Sequence, residues 1–288
     1  MKMFILAALS FGIAFLMTPT LTHFLYKFKL GKQIRDSAAA PTVSAMHKGK
    51  SGTPTMGGIL VWLTTLFLAV VFFYGYKIFN LPVFGYLNFL SRPQTLLPLG
   101  ALVASAIVGL VDDWFNVKKI GPAGGGLSMR YRLVIYALIA TVGALWFYYK
   151  LEWDVIHVPF LGNFNIGLWY IPLFIFVIVA TSFSVNETDG LDGLAGGTLL
   201  AAFAAYAAIA FVQGKTDLAA FCVVIAGALL AFLWFNINPA RFFMGDTGAM
   251  SLGVTLGVVA MLTNTLLLLP LIGFIFVIES LSAIIQMI

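Results

Sequence analysis

Cysteine and charge are both scarce in this sequence. Its 288 residues include one cysteine, Cys222, and only 9% are charged, with 16 Lys and Arg against 11 Asp and Glu. A single cysteine excludes a disulfide framework, and we expect it to be a small buried apolar side chain. No basic stripe interleaves with aromatic residues, so nucleic acid is not an expected partner. So little charge cannot cover the surface of a water-soluble domain.

Long apolar runs occupy most of the chain. Hydrophobic residues make up 61% of it, and its mean hydropathy is +1.01. Runs close to the ~20 residues that cross a bilayer recur throughout, without the alternation of a membrane β-barrel. The sequence therefore predicts an all-α, polytopic transmembrane helical bundle. The nine predicted spans are Met3–Tyr26, Met56–Tyr74, Leu96–Val111, Leu133–Tyr149, Leu168–Val185, Leu194–Val212, Leu218–Phe235, Ala249–Leu262 and Leu266–Ile288.

The basic residues favour one orientation of this bundle. With the N-terminus outside, eleven of the 16 Lys and Arg fall in cytoplasmic loops or at the cytoplasmic ends of spans. This agrees with the bias of basic residues toward the cytoplasm. No linker or repeat divides the chain, so we expect one domain over residues 1–288. Carboxylates are costly inside a membrane, so their collection at one interface indicates a polar cleft there. Those at the cytoplasmic ends are Asp112, Asp113, Glu187, Asp189, Asp192 and Asp246.

Two of the polar joints carry paired carboxylates. In "GLVDDWFNVKK", Asp112 and Asp113 are adjacent, so they repel each other and need a nearby cation; one of them suits proton transfer. In "ETDGLDGLAGG", Asp189 and Asp192 each precede a glycine, which lets the backbone approach a phosphate or a hard cation. The alternative for Asp112 and Asp113 is that they only mark the end of a span. The alternative for Asp189 and Asp192 is a simple turn between two helices.

The stretch "FNINPARFFMGDTGAMSLG" precedes the eighth predicted span. Asp246 either caps that helix or binds magnesium, because a lone carboxylate between a glycine and a hydroxyl suits an ion that keeps several waters. Phe242 or Phe243, beside Asn236 and Asn238, could stack on a base instead of anchoring in the membrane.

The stretch "HKGKSGTPTMGG" closes a basic joint ahead of the second span. Lys48 and Lys50 near a helix start suit a diphosphate. A basic loop on anionic lipid would explain the lysines but not the glycines and threonines around Thr55.

Together these motifs resemble the polyprenyl-phosphate N-acetylhexosamine-1-phosphate transferase superfamily, and "GTPTMGG", "TDGLDGLAGG", "FLWFN" and "FMGDTGAMSLG" carry the likeness. "GTPTMGG" favours its muramoyl branch. The resemblance implies transfer of phospho-MurNAc-pentapeptide from UDP-MurNAc-pentapeptide to undecaprenyl phosphate, giving lipid I and UMP. It also implies a Mg²⁺ cofactor. The protein would lie among the lipids of the bacterial inner membrane with its active site facing the cytoplasm, and a homodimer is one option.

The resemblance also implies roles for individual residues. Asp246 would be the magnesium ligand and, with the pair Asp112 and Asp113, one of the catalytic residues. Phe243 would stack on the uracil ring. The substrate-binding residues would be Lys50, Thr55, Asn186, Asp189, Asp192, Asn236 and Phe243.

The chain departs from the family pattern at several positions. Asn116 stands where the family usually has lysine, and Lys118 and Lys119 lie close by and could substitute for it. Phe183 replaces an asparagine that is frequent in the family, and Glu187 replaces an apolar residue. The family also has a tenth span with a histidine-rich loop before it, and we expect this chain to lack both, as a fragment or as a short form.

Three alternatives stay open at this point. The donor could be UDP-GlcNAc, with transfer of GlcNAc-1-phosphate to the same lipid. The reaction could proceed by direct attack or through a phospho-aspartyl intermediate. A transporter is a remote third interpretation, which has Glu279 in the last span as its only support because the other carboxylates lie at span ends.

Overall fold

A computed structural model describes residues 1–31, 52–92, 94–121 and 125–287. In that part of the chain, eight helices are long and apolar enough to cross a membrane, and a bent helix pair makes up to nine. The prediction of an all-α polytopic bundle is confirmed. The eight helices are α1 (Lys2–Lys27), α2 (Ile59–Phe79), α4 (Leu96–Lys118), α5 (Met129–Lys150), α6 (Tyr170–Thr188), α7 (Leu194–Val212), α8 (Thr216–Asn236) and α9 (Gly245–Leu262), with the short α3 (Pro82–Leu87) after α2.

The last predicted span is broken rather than straight. After a 3-10 turn at Leu266–Leu268, α10 (Leu269–Ile272) and α11 (Phe274–Met287) follow. The two parts, Leu266–Ile272 and Phe274–Gln286, meet at an angle of 80°. The break falls at Gly273, the residue type with the weakest helix propensity after proline. Hydropathy alone could not reveal this bend, because both parts are apolar.

Helix α9 lies at the centre of the bundle, and every residue from Gly245 to Leu262 is buried. Glycines on α9 let the neighbouring helix approach closely. A Cβ at Gly253 would lie 2.8 Å from the Cα of Ser182 on α6. Small residues at such crossings are the usual means of packing helices within a membrane. The ends of α9 therefore meet side chains from several other helices.

Most of the spanning helices extend beyond the apolar runs that predicted them. Helix α4 continues past Val111 to Lys118, α6 ends at Thr188 rather than Val185, and α9 begins at Gly245 rather than Ala249. The added turns carry polar residues, and these find partners on other helices. A helix in a membrane protein need not end where its apolar run ends if its polar side chains are satisfied inside the bundle. Five of the predicted site residues thus lie on helices, namely Asp112, Asp113, Asn186, Asn236 and Asp246.

The end of the bundle opposite to Asp112, Asp113 and Asp246 carries a small antiparallel hairpin that the sequence did not predict. Its strands are β1 (Val155–Val158) and β2 (Gly162–Asn165), in the connection between α5 and α6. At the same end, Gln213 donates to the carbonyl oxygen of Thr263 at 2.8 Å, and Lys215 donates to that of Leu262 at 2.7 Å. These bonds satisfy carbonyl groups at the C-terminus of α9 that have no partner within the helix.

Candidate active site

Arg132, in the first turn of α5, lies between two buried carboxylates. Its Nε is 2.7 Å from Oδ2 of Asp112 on α4, in the geometry of an ion pair rather than of an aligned hydrogen bond. Its Nη2 is 3.1 Å from Oδ2 of Asp246 on α9. Asp112 is fully buried and Asp246 is 4% exposed. Buried charges of this kind persist only when they are paired, so one arginine partly compensates two carboxylates that would otherwise repel each other.

Asn186 on α6 completes this cluster. Its side-chain oxygen accepts a hydrogen bond of 3.2 Å from Nη1 of Arg132, and its Nδ2 donates to Oδ1 of Asp246 at 2.8 Å. Oδ1 of Asp112 accepts a further bond of 2.6 Å from the backbone N–H of Leu127. We call Asp112, Arg132, Asn186 and Asp246 the polar cluster. Four helices, α4, α5, α6 and α9, contribute one residue each.

Asp113 has a different set of partners from its neighbour Asp112. Its Oδ2 accepts a hydrogen bond of 3.0 Å from the backbone N–H of Thr247, and its Oδ1 accepts one of 3.2 Å from the hydroxyl of Thr55. Thr247 lies in the first turn of α9, where backbone N–H groups lack partners within the helix. Asp113 therefore caps the N-terminus of α9 from another helix, and the two adjacent carboxylates serve separate contacts.

Asp189 is a second carboxylate at the same helix start. Its Oδ2 accepts a hydrogen bond of 3.0 Å from the backbone N–H of Gly245. The side chain of Asp246 accepts its hydrogen bonds from Arg132 and Asn186. The capping alternative for Asp246 is therefore wrong, because Asp113 and Asp189 accept from those N–H groups and leave Asp246 directed at Arg132 and Asn186.

Glycine at position 245 is required by this arrangement. Its φ is +75°, in the left-handed region, and a Cβ there would lie 2.6 Å from Oδ2 of Asp113 and 2.5 Å from the hydroxyl oxygen of Thr55. A side chain at this position would displace both residues.

The glycine and threonine stretch before α2 packs against the residues that precede Asp246. The N–H of Gly57 donates to the carbonyl oxygen of Phe243 at 2.8 Å, and the N–H of Phe243 donates to that of Pro54 at the same distance. A Cβ at Gly57 would collide with the ring of Phe242. The "GTPTMGG" motif thus brings Thr55 to Asp113 by close backbone contact. Lys50 lies outside the described residues.

Asn236 and Asp192 hold the loops beside the cluster. The side-chain oxygen of Asn236 accepts a hydrogen bond of 3.0 Å from the N–H of Gly193, and its Nδ2 donates to the carbonyl oxygen of Phe242 at 2.8 Å. Oδ2 of Asp192 accepts from Nδ2 of Asn238 at 3.0 Å. These contacts join the "TDGLDGLAGG" segment to the loop between α8 and α9.

The two phenylalanines before Asp246 differ in exposure. Phe242 is fully buried, with its ring centroid 5.7 Å from that of Phe232 and 6.3 Å from that of Phe235. Phe243 is partly exposed. Of the two, Phe243 is the more exposed, which favours the residue that the resemblance implied. Its stacking on a base stays a prediction.

The expected lysine substitutes for Asn116 do not join the cluster. Lys118 is exposed and its Nζ lies 5.1 Å from the ring centroid of Trp114, while Lys119 is exposed at the C-cap of α4 with φ of +57°. Lys118 contacts Trp114 instead and Lys119 lies past the end of the helix, and their role as substitutes stays a prediction. Arg132 supplies the positive charge instead.

Sequence reasoning did not single out Arg132. A signal for it existed, since a basic residue in the first turn of a helix is disfavoured by the helix dipole and therefore calls for a nearby carboxylate. Arg132 and Arg130 both lie at the start of α5, and only Arg130 is exposed. Sequence alone could not tell which of them turns inward.

Two members of the polar cluster, Asp112 and Asp246, are carboxylates, the ligand type that magnesium prefers. Among the described residues, no group of three or more His, Cys, Asp and Glu side chains could hold a metal ion. Magnesium is usually bound by one or two carboxylates together with waters and substrate phosphates. In this structure Asp112 and Asp246 both pair with Arg132.

The fold and this site define a polytopic membrane transferase, and the chain matches the family model described as glycosyl transferase family 4 over residues 95–264. Residues 50–60 match the phospho-N-acetylmuramoyl-pentapeptide-transferase signature 1. The chain belongs to the phospho-N-acetylmuramoyl-pentapeptide-transferase family.

Relatives with that name come from several bacterial groups. The one from Chloroflexus aggregans is 41% identical over 289 residues, which cover 98% of this chain and 73% of the relative. The one from a Geobacillus species is 39% identical over 283 residues, covering 97% and 81%. The one from Clostridium novyi is 35% identical over 280 residues, covering 96% and 79%. The signature and these relatives favour the muramoyl branch over transfer of GlcNAc-1-phosphate.

Proposed function

We propose that this chain transfers phospho-MurNAc-pentapeptide from UDP-MurNAc-pentapeptide to undecaprenyl phosphate, giving lipid I and UMP. The observation that carries the proposal is the polar cluster, in which Arg132 pairs with Asp112 and Asp246 at one end of a membrane bundle. Membership of the phospho-N-acetylmuramoyl-pentapeptide-transferase family supports the choice of donor.

The reaction is a phosphoryl transfer between two anions. An oxygen of undecaprenyl phosphate forms a bond to the phosphorus that carries the sugar, and the bond from that phosphorus to the oxygen of UMP breaks. Because both partners are negative, the site must offset their repulsion and align them, which is most of the catalysis in such reactions. Bound Mg²⁺, held by Asp246 with Asp112, would neutralise charge on the diphosphate.

Arg132 and Asn186 position the carboxylates in this scheme. Both side-chain oxygens of Asp246 have a partner, Nη2 of Arg132 on Oδ2 and Nδ2 of Asn186 on Oδ1. These contacts fix the direction of the carboxylate before substrate arrives. Preorganised groups contribute more than mobile ones because they do not have to reorient during the reaction.

Asp112 or Asp113 is proposed to take a proton from the lipid phosphate, and in both residues each oxygen already has a partner. Both oxygens of Asp113 accept hydrogen bonds from α9 and from Thr55, which gives it a positioning role. A phosphate monoester has a second pKa of about 6, so at neutral pH most of the acceptor has already lost that proton. A base therefore serves only the remaining protonated fraction.

The site is proposed to face the cytoplasm in the bacterial inner membrane. Eleven of the 16 Lys and Arg fall on the side that carries the polar cluster when the N-terminus is placed outside. UDP-linked donors are made inside the cell, and this orientation gives them access to Asp246. Phe243, partly exposed beside the cluster, is proposed to stack on the uracil ring.

A donor comparison tests this function. The purified chain, reconstituted with undecaprenyl phosphate and Mg²⁺, is supplied with either UDP-MurNAc-pentapeptide or UDP-GlcNAc, and UMP release is measured. We expect UMP only from the first donor. UMP from UDP-GlcNAc alone would assign the chain to the other branch, and UMP from neither would contradict the proposal.

A further inference from the structure

The end of the bundle opposite to the polar cluster contains a polar cavity. It measures about 600 Å³ and lies between the hairpin, the connection from α7 to α8, and the segment that follows α9. This volume is within the range of about 300–1,000 Å³ that is usual for ligand sites. The lining includes Trp153, His157, Asn163, Gln213, Lys215 and Asn264.

The cavity lies where three membrane spans end. Lys215 directly precedes α8, Thr263 directly follows α9, and Trp153 is three residues beyond the end of α5 at Lys150. The ends of spans lie at the level of the lipid head groups, where tryptophan and lysine are common. Lipid phosphates are therefore at the same depth as the polar groups of the cavity.

Lys215 gives the cavity a positive charge. Among the described residues that line it, none is acidic and Lys215 is the one Lys or Arg. Its Nζ donates to the carbonyl oxygen of Leu262 at 2.7 Å and lies 5.3 Å from the ring centroid of Trp153. An ammonium group has three donors, and these two neutral partners do not cancel its charge. Burial lowers the pKa of Lys215, as expected for a cation held partly away from water.

The carboxylates at this end of the bundle do not offset that charge inside the cavity. Asp217 pairs with Lys2 at 3.5 Å, and Asp154 accepts a hydrogen bond of 2.7 Å from Nδ2 of Asn165. The acidic residues here that lie outside the lining are Glu152, Asp154 and Asp217. The lining therefore has a net positive charge, which favours an anionic ligand.

The polar groups around Lys215 suit phosphate oxygens. Asn163 and Asn264 both contact His157 through Oδ1, at 2.8 Å and 3.0 Å, so Nδ2 of each amide can donate to a ligand. A sugar would instead need an open indole face. The ring of Trp153 already contacts the ammonium group of Lys215 and the ring of Phe147, whose centroid is 6.2 Å away. An oxyanion therefore fits this lining better than a sugar.

The edge of the cavity is apolar. Leu267 and Leu268, on the 3-10 turn that leads into α10, belong to the lining, and Leu267 is 47% exposed. A free phosphate ion has no use for such a surface, whereas a phospholipid carries its acyl chains beside its phosphate. A cation next to exposed apolar surface at head-group depth complements an amphiphile with an anionic head.

We propose that this cavity binds the phosphate group of an anionic phospholipid, with Lys215 as its charged contact and Leu267 beside its acyl chains. The lipid comes from the leaflet opposite to the polar cluster. Lys215 contacts the last turn of α9, whose first turn carries Asp246, so a bound lipid should stabilise the central helix of the bundle. This site is separate from the transferase reaction and does not depend on which UDP-sugar is the donor.

Native mass spectrometry of the purified chain, titrated with dioleoylphosphatidylglycerol in detergent, tests the charged contact. Lys215→Gln removes the charge but keeps an amide that can donate to Leu262, and it should weaken the first binding step about ten-fold. Lys150→Gln is the matched control, because Lys150 is exposed at the same end and lies outside the lining. Equal affinities in the two variants would overturn the proposal and leave the proposed function intact.

A second variant tests the site without removing Lys215. Asn163→Asp keeps the oxygen that contacts His157 and adds a negative charge to the lining, so it should weaken phosphatidylglycerol binding about as much as Lys215→Gln does. Asn80→Asp is the control, since Asn80 is exposed at the C-cap of α2. If Asn163→Asp binds the lipid as tightly as Asn80→Asp, the phosphate lies elsewhere and the proposal is wrong.

Two other ligands identify the source of the phosphate. Phosphatidylglycerol should raise the thermal midpoint of the parent chain more than that of Lys215→Gln, because a ligand of the folded state stabilises it. Dioleoylphosphatidylcholine, whose head group is neutral overall, and inorganic phosphate should not distinguish the two proteins. A gain that depends on Lys215 with phosphatidylcholine would show a general lipid site, and one with inorganic phosphate would show a site for soluble anions. Either result would overturn the proposal.

Discussion

The carboxylate of Asp113 accepts a hydrogen bond of 3.0 Å from the backbone N–H of Thr247, which lies 134 positions further along the chain. This bond joins the C-terminal part of α4 to the first turn of α9. An anion at a helix N-terminus is favoured both by the unpaired N–H groups and by the helix dipole. The contact sets the distance between Asp112, one residue away on α4, and Asp246, one residue away on α9.

Replacement of Arg132 tests whether one arginine holds the two carboxylates of the cluster. Arg132→Gln removes the positive charge between buried Asp112 and Asp246. Breaking a buried pair from one side costs about 3–5 kcal/mol, so the thermal midpoint in detergent should fall. UMP release should fall on the order of 100-fold, because the carboxylates lose their fixed direction.

The matched control for that variant is Arg130→Gln. Arg130 lies in the same turn of α5 and is exposed, so its replacement should leave stability and rate close to those of the parent. Arg132→Lys should recover part of the stability but little of the rate, since a lysine cannot contact Asp112, Asp246 and Asn186 with three separate nitrogens. Equal effects of the changes at positions 130 and 132 would show that Arg132 does not hold the two carboxylates.

The membrane spans and the gathering of carboxylates followed from sequence, because hydropathy and charge placement are both local signals. Asp112, Asp189 and Asp246 could be assigned to one end of the bundle on that basis. The individual contacts of these residues could not be predicted from the sequence. The capping of α9 by Asp113 depends on how two distant helices cross, and no spacing within either helix encodes it.

The ends of the helices were harder to predict than their centres. The apolar run of the third span stops at Val111, but α4 continues through Asp112 and Asp113, which are buried. A sequence pattern registers the polarity of these residues but not the partners that make their burial tolerable. The bend at Gly273 and the hairpin Val155–Asn165 were missed for the related reason that neither changes the average hydropathy.

Gly245→Ala tests the close approach between α9 and Asp113. With φ of +75° and Oδ2 of Asp113 at 2.6 Å from the added Cβ, alanine must distort the backbone or move the carboxylate. We expect a loss of about 1–3 kcal/mol in stability, measured as a lower thermal midpoint. Gly197→Ala on α7, where a Cβ meets no atom within 4 Å, should be neutral or stabilising. A neutral Gly245→Ala variant would show that the contact is not tight.

Replacing the two phenylalanines before Asp246 should have different effects, one on stability and the other on donor binding. Phe242→Ala empties a fully buried site and should cost about 3–5 kcal/mol of folding free energy. Phe243→Ala should have little effect on stability, because this ring is partly exposed. It should raise KM for the UDP-linked donor by the equivalent of about 1–3 kcal/mol, the contribution of stacking on one base. The reverse pattern in thermal midpoint and KM would show that Phe242 is the stacking residue.

The most direct measurement is magnesium-dependent UMP release by Asp246→Asn, with Asp217→Asn as the control. Asp217 lies at the opposite end of the bundle, where it pairs with Lys2 at 3.5 Å. The account predicts that Asp246→Asn loses at least about 100-fold in rate at every magnesium concentration, while Asp217→Asn keeps the parent's magnesium response. Near-normal release by Asp246→Asn would contradict the assignment of the cluster as the catalytic centre.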